Sequence, residues 1–99
     1  MFKHLLVTLD GTPRSEAVIP EAIDMAKAMS GEVTLLRIVD ATNSDAQSYL
    51  ERMAISVRGV GVVAHTLVKQ GVPAEQVVEA ANEIQADVIV MATHASRDQ

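Results

Sequence analysis

Three stretches of this chain are apolar almost residue by residue, and they constrain its fold more than anything else in it. They are HLLVTL at 4–9, VTLLRIV at 33–39 and DVIVMA at 87–92. A strand with one wet face alternates apolar and polar side chains, whereas a strand covered on both faces has no reason to. These runs therefore read as parallel strands with helices packed above and below. A fourth β-rich run, GVVAHTLVK at 61–69, carries His65, Thr66 and Lys69 and suits a strand nearer an edge.

Between the strands the apolar period changes to that of a helix. From about Ser15 to Ser30 the inward stripe is Val18/Ile19, Ala22/Ile23, Ala26 and Met29, with Gly31 as a stop. Pro20 lacks an N–H, so it is expected within the first two turns, tilting them without breaking the helix. In the second pattern Ala46, Tyr49, Leu50, Met53, Ala54 and Val57 share one face; Ser44 and Gln47 form a capping box and Gly59 ends it. The third runs from about Ala74 to Gln85 with Pro73 in its first turn and Val77, Val78, Ala81 and Ile84 inward. Met25, Met29 and Met53 read as core filling, and Glu75, Glu79 and Glu83 as a solvated acidic face. The order β-α-β-α-β-α-β, with right-handed crossovers, gives a doubly wound, Rossmann-like open parallel sheet of four strands and three helices.

Ninety-nine residues form a single domain, 1–99. Phe2 and Tyr49 are its only aromatic residues, so the core must be aliphatic. The net charge of −5, the scattered basic residues and the scarcity of stacking rings exclude nucleic acid as a partner. The apolar runs are far shorter than the ~20 residues of a membrane span. Phe2-Lys3-His4 leads at once into a strand-like segment, which does not look like a secretory leader, and the cytoplasm is the expected location. There is no cysteine, and His4, His65 and His94 have no neighbours at metal-ligand spacing, so no metal is expected. Neither G-x-G-x-x-G, a P-loop nor a G-x-S-x-G elbow occurs.

Open parallel sheets collect ligands outside the carboxyl ends of strands where the strand order reverses. If the fourth strand returns beside the first, that crevice lies between Leu9-Asp10-Gly11-Thr12 and Met91-Ala92-Thr93-His94. Asp10 then has two readings: it orders the turn or caps the next helix, or it accepts hydrogen bonds from ligand hydroxyls. His94 is either a surface residue or a group of the crevice.

These segments resemble the universal stress protein family. HLLVTLDGTPRSEAVIPEAIDMAKAMSGEVTLLRIVD is similar to the family's opening strand, Asp-Gly turn, long helix and second strand. AQSYLERMA resembles its second helix, and VKQGVPAEQVVEAANEIQADVIVMATHAS its Gly-x-Pro-Ala-Glu turn, third helix and fourth strand. The resemblance implies a small, cytoplasmic, commonly dimeric stress-response protein with a five-stranded fold. Many such proteins bind ATP and others do not. On the binders' pattern the nucleotide-binding positions are Leu9, Asp10, Ile38, Met91, Thr93 and His94, with Asp10 at the ribose and the Ile38 backbone and Met91 framing adenine.

Three departures stand out. Thr8 stands where binders carry Pro, and Ala92 and Ala95 replace two glycines of a phosphate-binding element, where a Cβ restricts close approach. The segment between the second strand and second helix is short for the family. The rest of the Gly-Ser/Thr motif, the last helix and the fifth strand have no counterpart here, so the domain is expected to be C-terminally incomplete, with the fourth strand as an open edge.

Two functions follow: an ATP-binding stress protein, and a homodimeric interaction module that binds no nucleotide. For these ninety-nine residues the balance tips to the module. With no nucleophile or acid–base pair visible, an ATP hydrolase of the related nucleotide α-hydrolase superfamily rests on shared fold alone.

Overall fold

The first strand, β1 (His4–Thr8), lies inside the sheet and is hydrogen-bonded on both sides. The computed structural model describes residues 3–39 and 45–92. After β1 come α1 (Pro13–Glu16), α2 (Ile19–Met29), β2 (Glu32–Val39), α3 (Asp45–Gly59), β3 (Ala64–Gln70), α4 (Pro73–Ile84) and β4 (Val88–Val90). The strand order is β3-β2-β1-β4 and every pairing is parallel. Leu6, for example, sits opposite Thr34 of β2 and Ile89 of β4.

The continuous apolar runs have the expected cause. Leu5, Val7 and Leu9 pack with Val33 and Leu35 beneath α2 and α3, against Ala22, Ala26, Leu50, Ala54 and Val57. Leu6 and Leu36 point the other way and meet Ala80 of α4, flanked by Ile38, Leu67, Val77 and Ile84. Leu5, Leu6 and Val7 are all wholly buried because helices cover both faces. The polar strand β3 lies at one edge and β4 at the other, among the described residues.

Several expectations need correction. The first helix starts two residues earlier than expected, at Pro13, where the Thr12 side chain accepts the cap hydrogen bond from the Ser15 N–H. It then divides into α1 and α2 instead of tilting. Pro20 has no N–H for the Glu16 carbonyl, and the regular ladder resumes when the Ala22 N–H reaches Val18. Met25 is about a third exposed, off the stripe set by Ala22 and Ala26. On α4 the inward residue is Ala80, and Val78 lies out in solvent at 59 % exposure. A strict i, i+3, i+4, i+7 stripe from Val77 passes through Ala80, and only a small side chain lets α4 approach Leu6 and Leu36. β3 begins at Ala64, after a turn at Gly61 with φ +90°. Ser44 of the expected capping box lies outside the described residues; the Gln47 side chain donates to Glu51 and Thr66. Two of the acidic residues on α4 are more than solvated, since Glu79 and Glu83 lie 3.5 and 2.5 Å from the Lys69 ammonium.

The end of α2 shows why one glycine is needed for space. Ser30 takes the left-handed conformation (φ 55°), and the Gly31 N–H closes back on the Ala26 carbonyl at 2.8 Å. A Cβ on Gly31 would stand 2.6 Å from the Lys3 carbonyl oxygen, inside contact distance of backbone that cannot swing aside. Gly31→Ala is therefore expected to lower stability by about 1–3 kcal/mol, and Leu50→Ala by about 2–5 kcal/mol. Val78→Ser should stay within about 0.5 kcal/mol of the parent. Urea midpoints measured on the three variants check this ranking.

Candidate functional site

The parallel pairing of β1 with β4 brings two strand ends side by side. Leu5 is registered with Val88 and Val7 with Val90, so the chain leaves both strands at the same level. Leu9-Asp10 and Met91-Ala92 consequently border one cavity of about 340 Å³, closed from the side by Leu36, Ile38, Pro73 and Val77. Its wall is mainly apolar, with Thr8, Asp10, Thr12, Arg14 and Ser15 as the polar residues on the β1 side.

A dense local network shapes that polar wall. The Asp10 carboxylate accepts from the Thr12 N–H (2.9 Å) and from the Thr12 hydroxyl (2.6 Å). Thr12 Oγ1 in turn accepts from the Ser15 N–H, while the buried Ser15 hydroxyl donates to the Thr12 carbonyl and accepts from the Asp10 N–H. Gly11 bends the chain with φ +88°, a region that favours glycine. The cap is thus Thr12, and Asp10 orders the turn. That role is compatible with a second one toward a ligand, because a carboxylate offers about four acceptor sites.

Of the six positions singled out in the sequence, Leu9, Asp10, Ile38 and Met91 border this cavity. The Leu9 side chain is buried in the core under α2 and α3, so main chain is what it offers the cavity. Ile38 lies against the α4 side of the core, and Met91 is half exposed. Thr93 and His94, like Ala95, lie outside the described residues. Sequence reasoning had Thr12 and Ala92 at the crevice but missed Arg14 and Ser15 on one side and Leu36, Pro73 and Val77 on the other. The signal for the first group was there: Thr12-Pro13 is a cap followed by a proline at the first helical position.

Tyr49 stands on the other side of the Asp10–Thr12 turn. Its hydroxyl donates to Glu16 at 2.7 Å and ties α3 to α1. Burial, reinforced by the Glu16 hydrogen bond and charge, pushes its phenol up to about 12, against the opposing pull of Arg37 and of a Gly11 backbone hydrogen bond. Elsewhere a hydrogen bond from Thr66, helped by Arg58, draws the Glu51 carboxyl down, and Glu83 draws the Lys69 ammonium up. Parallel register also sets His4 and His65 side by side with ring centroids 5.9 Å apart; their ring nitrogens face Thr34 and Glu32. Among the described residues no group of three or more His, Cys, Asp or Glu could hold a metal ion, and no helix is long and apolar enough to cross a membrane.

A four-stranded parallel sheet, helices on both faces and a cavity at the reversal point define a Rossmann-like α/β protein. The family model for the universal stress protein family matches residues 1–58, more than half of the sequence, and the chain belongs to that family. A curated universal stress protein of Methanocaldococcus jannaschii is 28 % identical over 94 % of this chain; the chain spans 65 % of that relative's length. A solved universal stress protein in complex with cAMP superposes with a TM-score of 0.79 at 20 % identity, over 90 % of this chain and 70 % of its own. A universal stress protein family member from Arabidopsis thaliana with AMP bound gives 0.73 at 15 % identity, over 94 % and 77 % of the two chains. At such identities the structural likeness speaks for the fold.

The Tyr49 phenol yields a pH prediction. It titrates near 12 when folded, against about 10 in an unfolded chain. Its contribution to stability is complete below pH 10 and is lost as pH rises from 10 to 12, because only the unfolded chain releases the proton in that window. Spectrophotometric titration of this single tyrosine should show a midpoint well above 10 that returns toward 10 in Tyr49's unfolded environment in urea.

Proposed function

We propose that the cleft between β1 and β4 binds an adenine nucleotide, and that the protein serves as a nucleotide-binding stress-response module. The observation that carries this reading is the convergence of an apolar slot with one fixed carboxylate. Ile38, Val77, Pro73 and Met91 surround a cavity of about 340 Å³ with Asp10 at its rim. A planar base needs apolar walls, and a ribose needs an acceptor for its two hydroxyls. In this arrangement the base lies between Ile38 and Met91, the Leu9 main chain contributes polar contacts, and Asp10 accepts from the sugar. The AMP and cAMP held by the two solved neighbours support an adenine nucleotide as the ligand class. ATP is the form we assign, and Thr93 and His94, outside the described residues, complete the candidate set for adenine and ribose.

A homodimer in the cytoplasm completes this reading. Its support is the place of β4 at an edge of the sheet among the described residues, with Ile89 43 % exposed, since an edge strand favours pairing with another chain. The same edge favours a second reading, in which the protein is a dimeric interaction module without nucleotide. Ala92, whose Cβ stands at the cavity where the binders' pattern has glycine, points the same way.

Calorimetric titration with ATP, AMP and adenosine decides between the two. Saturable heat from ATP in the parent, weakened by about tenfold or more in Asp10→Ala, is the expected outcome for a lost charge-assisted hydrogen bond. Absence of heat with all three ligands rejects nucleotide binding and leaves the interaction module.

A further inference from the structure

The Asp10–Thr12 turn has a second hollow on its other side. Residues 37 and 38 of β2 point to opposite faces of the sheet. While Ile38 borders the cleft, Arg37 opens into a depression of about 560 Å³ shared with Tyr49, Arg52, Ser48 and Asp45. Two guanidinium groups converge there on one ring, with the Arg37 carbon 4.9 Å and the Arg52 carbon 5.9 Å from the Tyr49 centroid. Arg52 lies one helical turn on from Tyr49 along α3, while Arg37 reaches the same ring from strand β2.

We propose that Arg37 and Arg52 form a binding site for a single phosphate group, separate from the cleft between β1 and β4. Three observations support it. First, neither guanidinium has a hydrogen bond or an acidic partner among the described residues, although acidic residues outnumber basic ones, thirteen to eight. Elsewhere Arg58 pairs with Glu51, and Lys69 with Glu79 and Glu83, while Lys27 of α2 also has no ion pair among the described residues. Second, Arg37 is held in place beforehand. Its guanidinium lies over the Tyr49 ring and so close to Gly11 that an added Cβ would fall 2.9 Å from Nη1. A fork fixed by stacking loses little freedom when it binds a two-oxygen face. Third, the Tyr49 hydroxyl is already committed to Glu16, which leaves the ring as a platform and the two forks as the donors.

Asp10 and Asp45 also border the depression, and their charge offsets that of the arginine pair. Recognition therefore rests on bidentate geometry instead of net charge, and this separates an arginine site from a merely basic patch. A phosphate group, with three oxygens for two forks, fits that geometry better than a carboxylate. The proposal does not depend on nucleotide binding in the cleft.

Tyr49 is the only tyrosine and tryptophan is absent, so its fluorescence reports on this hollow directly. The experiment titrates inorganic phosphate at constant ionic strength made up with chloride, then repeats it with acetate and with saturating adenosine present. A saturable change with phosphate, unaltered by adenosine and absent with acetate, is expected. Arg52→Gln, at an exposed position, and Arg37→Lys, which keeps the charge but not the fork, should each weaken it by about tenfold or more, with unchanged circular dichroism. A response that is linear and matched by chloride, that saturates equally with acetate, that adenosine displaces, or that survives both substitutions overturns the site.

Discussion

The parallel alignment of β1 with β4 is the contact from which the rest of this molecule takes its shape. It is short, with Leu5, Leu6 and Val7 set against Val88, Ile89 and Val90. Yet it turns a chain that has been stepping outward through β2 and β3 back to the other side of its first strand. A parallel return of this kind needs a crossover, supplied by α4, and α4 is what covers the face that α2 and α3 leave bare. The middle of β1, Leu5 to Val7, is then wholly buried, and the cleft opens where neighbouring loops depart to opposite faces.

The two faces are not equivalent. The side under α2 and α3 holds most of the core, including Leu50, Val57 and the Tyr49 ring. The other side is thinner, with Leu6, Leu36 and Ala80 as its fully buried members. The cleft opens on this thinner side, where a single helix leaves room for a ligand between Val77 and the strand ends. The denser side instead presents polar groups at its rim, where Arg37 and Arg52 meet over Tyr49. The Asp10–Thr12 turn is the common wall of the two hollows, and its hydrogen bonds to Ser15 hold that wall to the start of α1.

Much of this was legible beforehand because burial leaves a simple mark. Strands covered on both faces lose their polar alternation, and that loss in 4–9, 33–39 and 87–92 implied parallel strands and a doubly wound sheet. The placing of β3 at an edge followed from His65 and Lys69 in the same way. Errors arose where two helical phases compete. Val78 is more apolar than Ala80, but it is Ala80 that faces the sheet, since distance of approach and not hydrophobicity selects the residue there. Pro20 was recognised as a conflict, but whether a missing N–H tilts a helix or divides it depends on what neighbouring packing can absorb.

By itself the amino-acid order determined the element sequence, the parallel class and the four cavity-lining positions Leu9, Asp10, Ile38 and Met91. The elements and Leu9, Asp10 and Met91 depend on local period or on the strand-end rule, both carried by residues close together in the chain, whereas Ile38 came from the resemblance to the family's nucleotide binders. Tertiary structure alone decided which distant side chains meet: Tyr49 with Glu16, His4 with His65, Lys69 with Glu83, and Arg37 with the Tyr49 ring. Such meetings are set by strand register and by how helices lie across the sheet, and these are settled only when the whole core is packed at once.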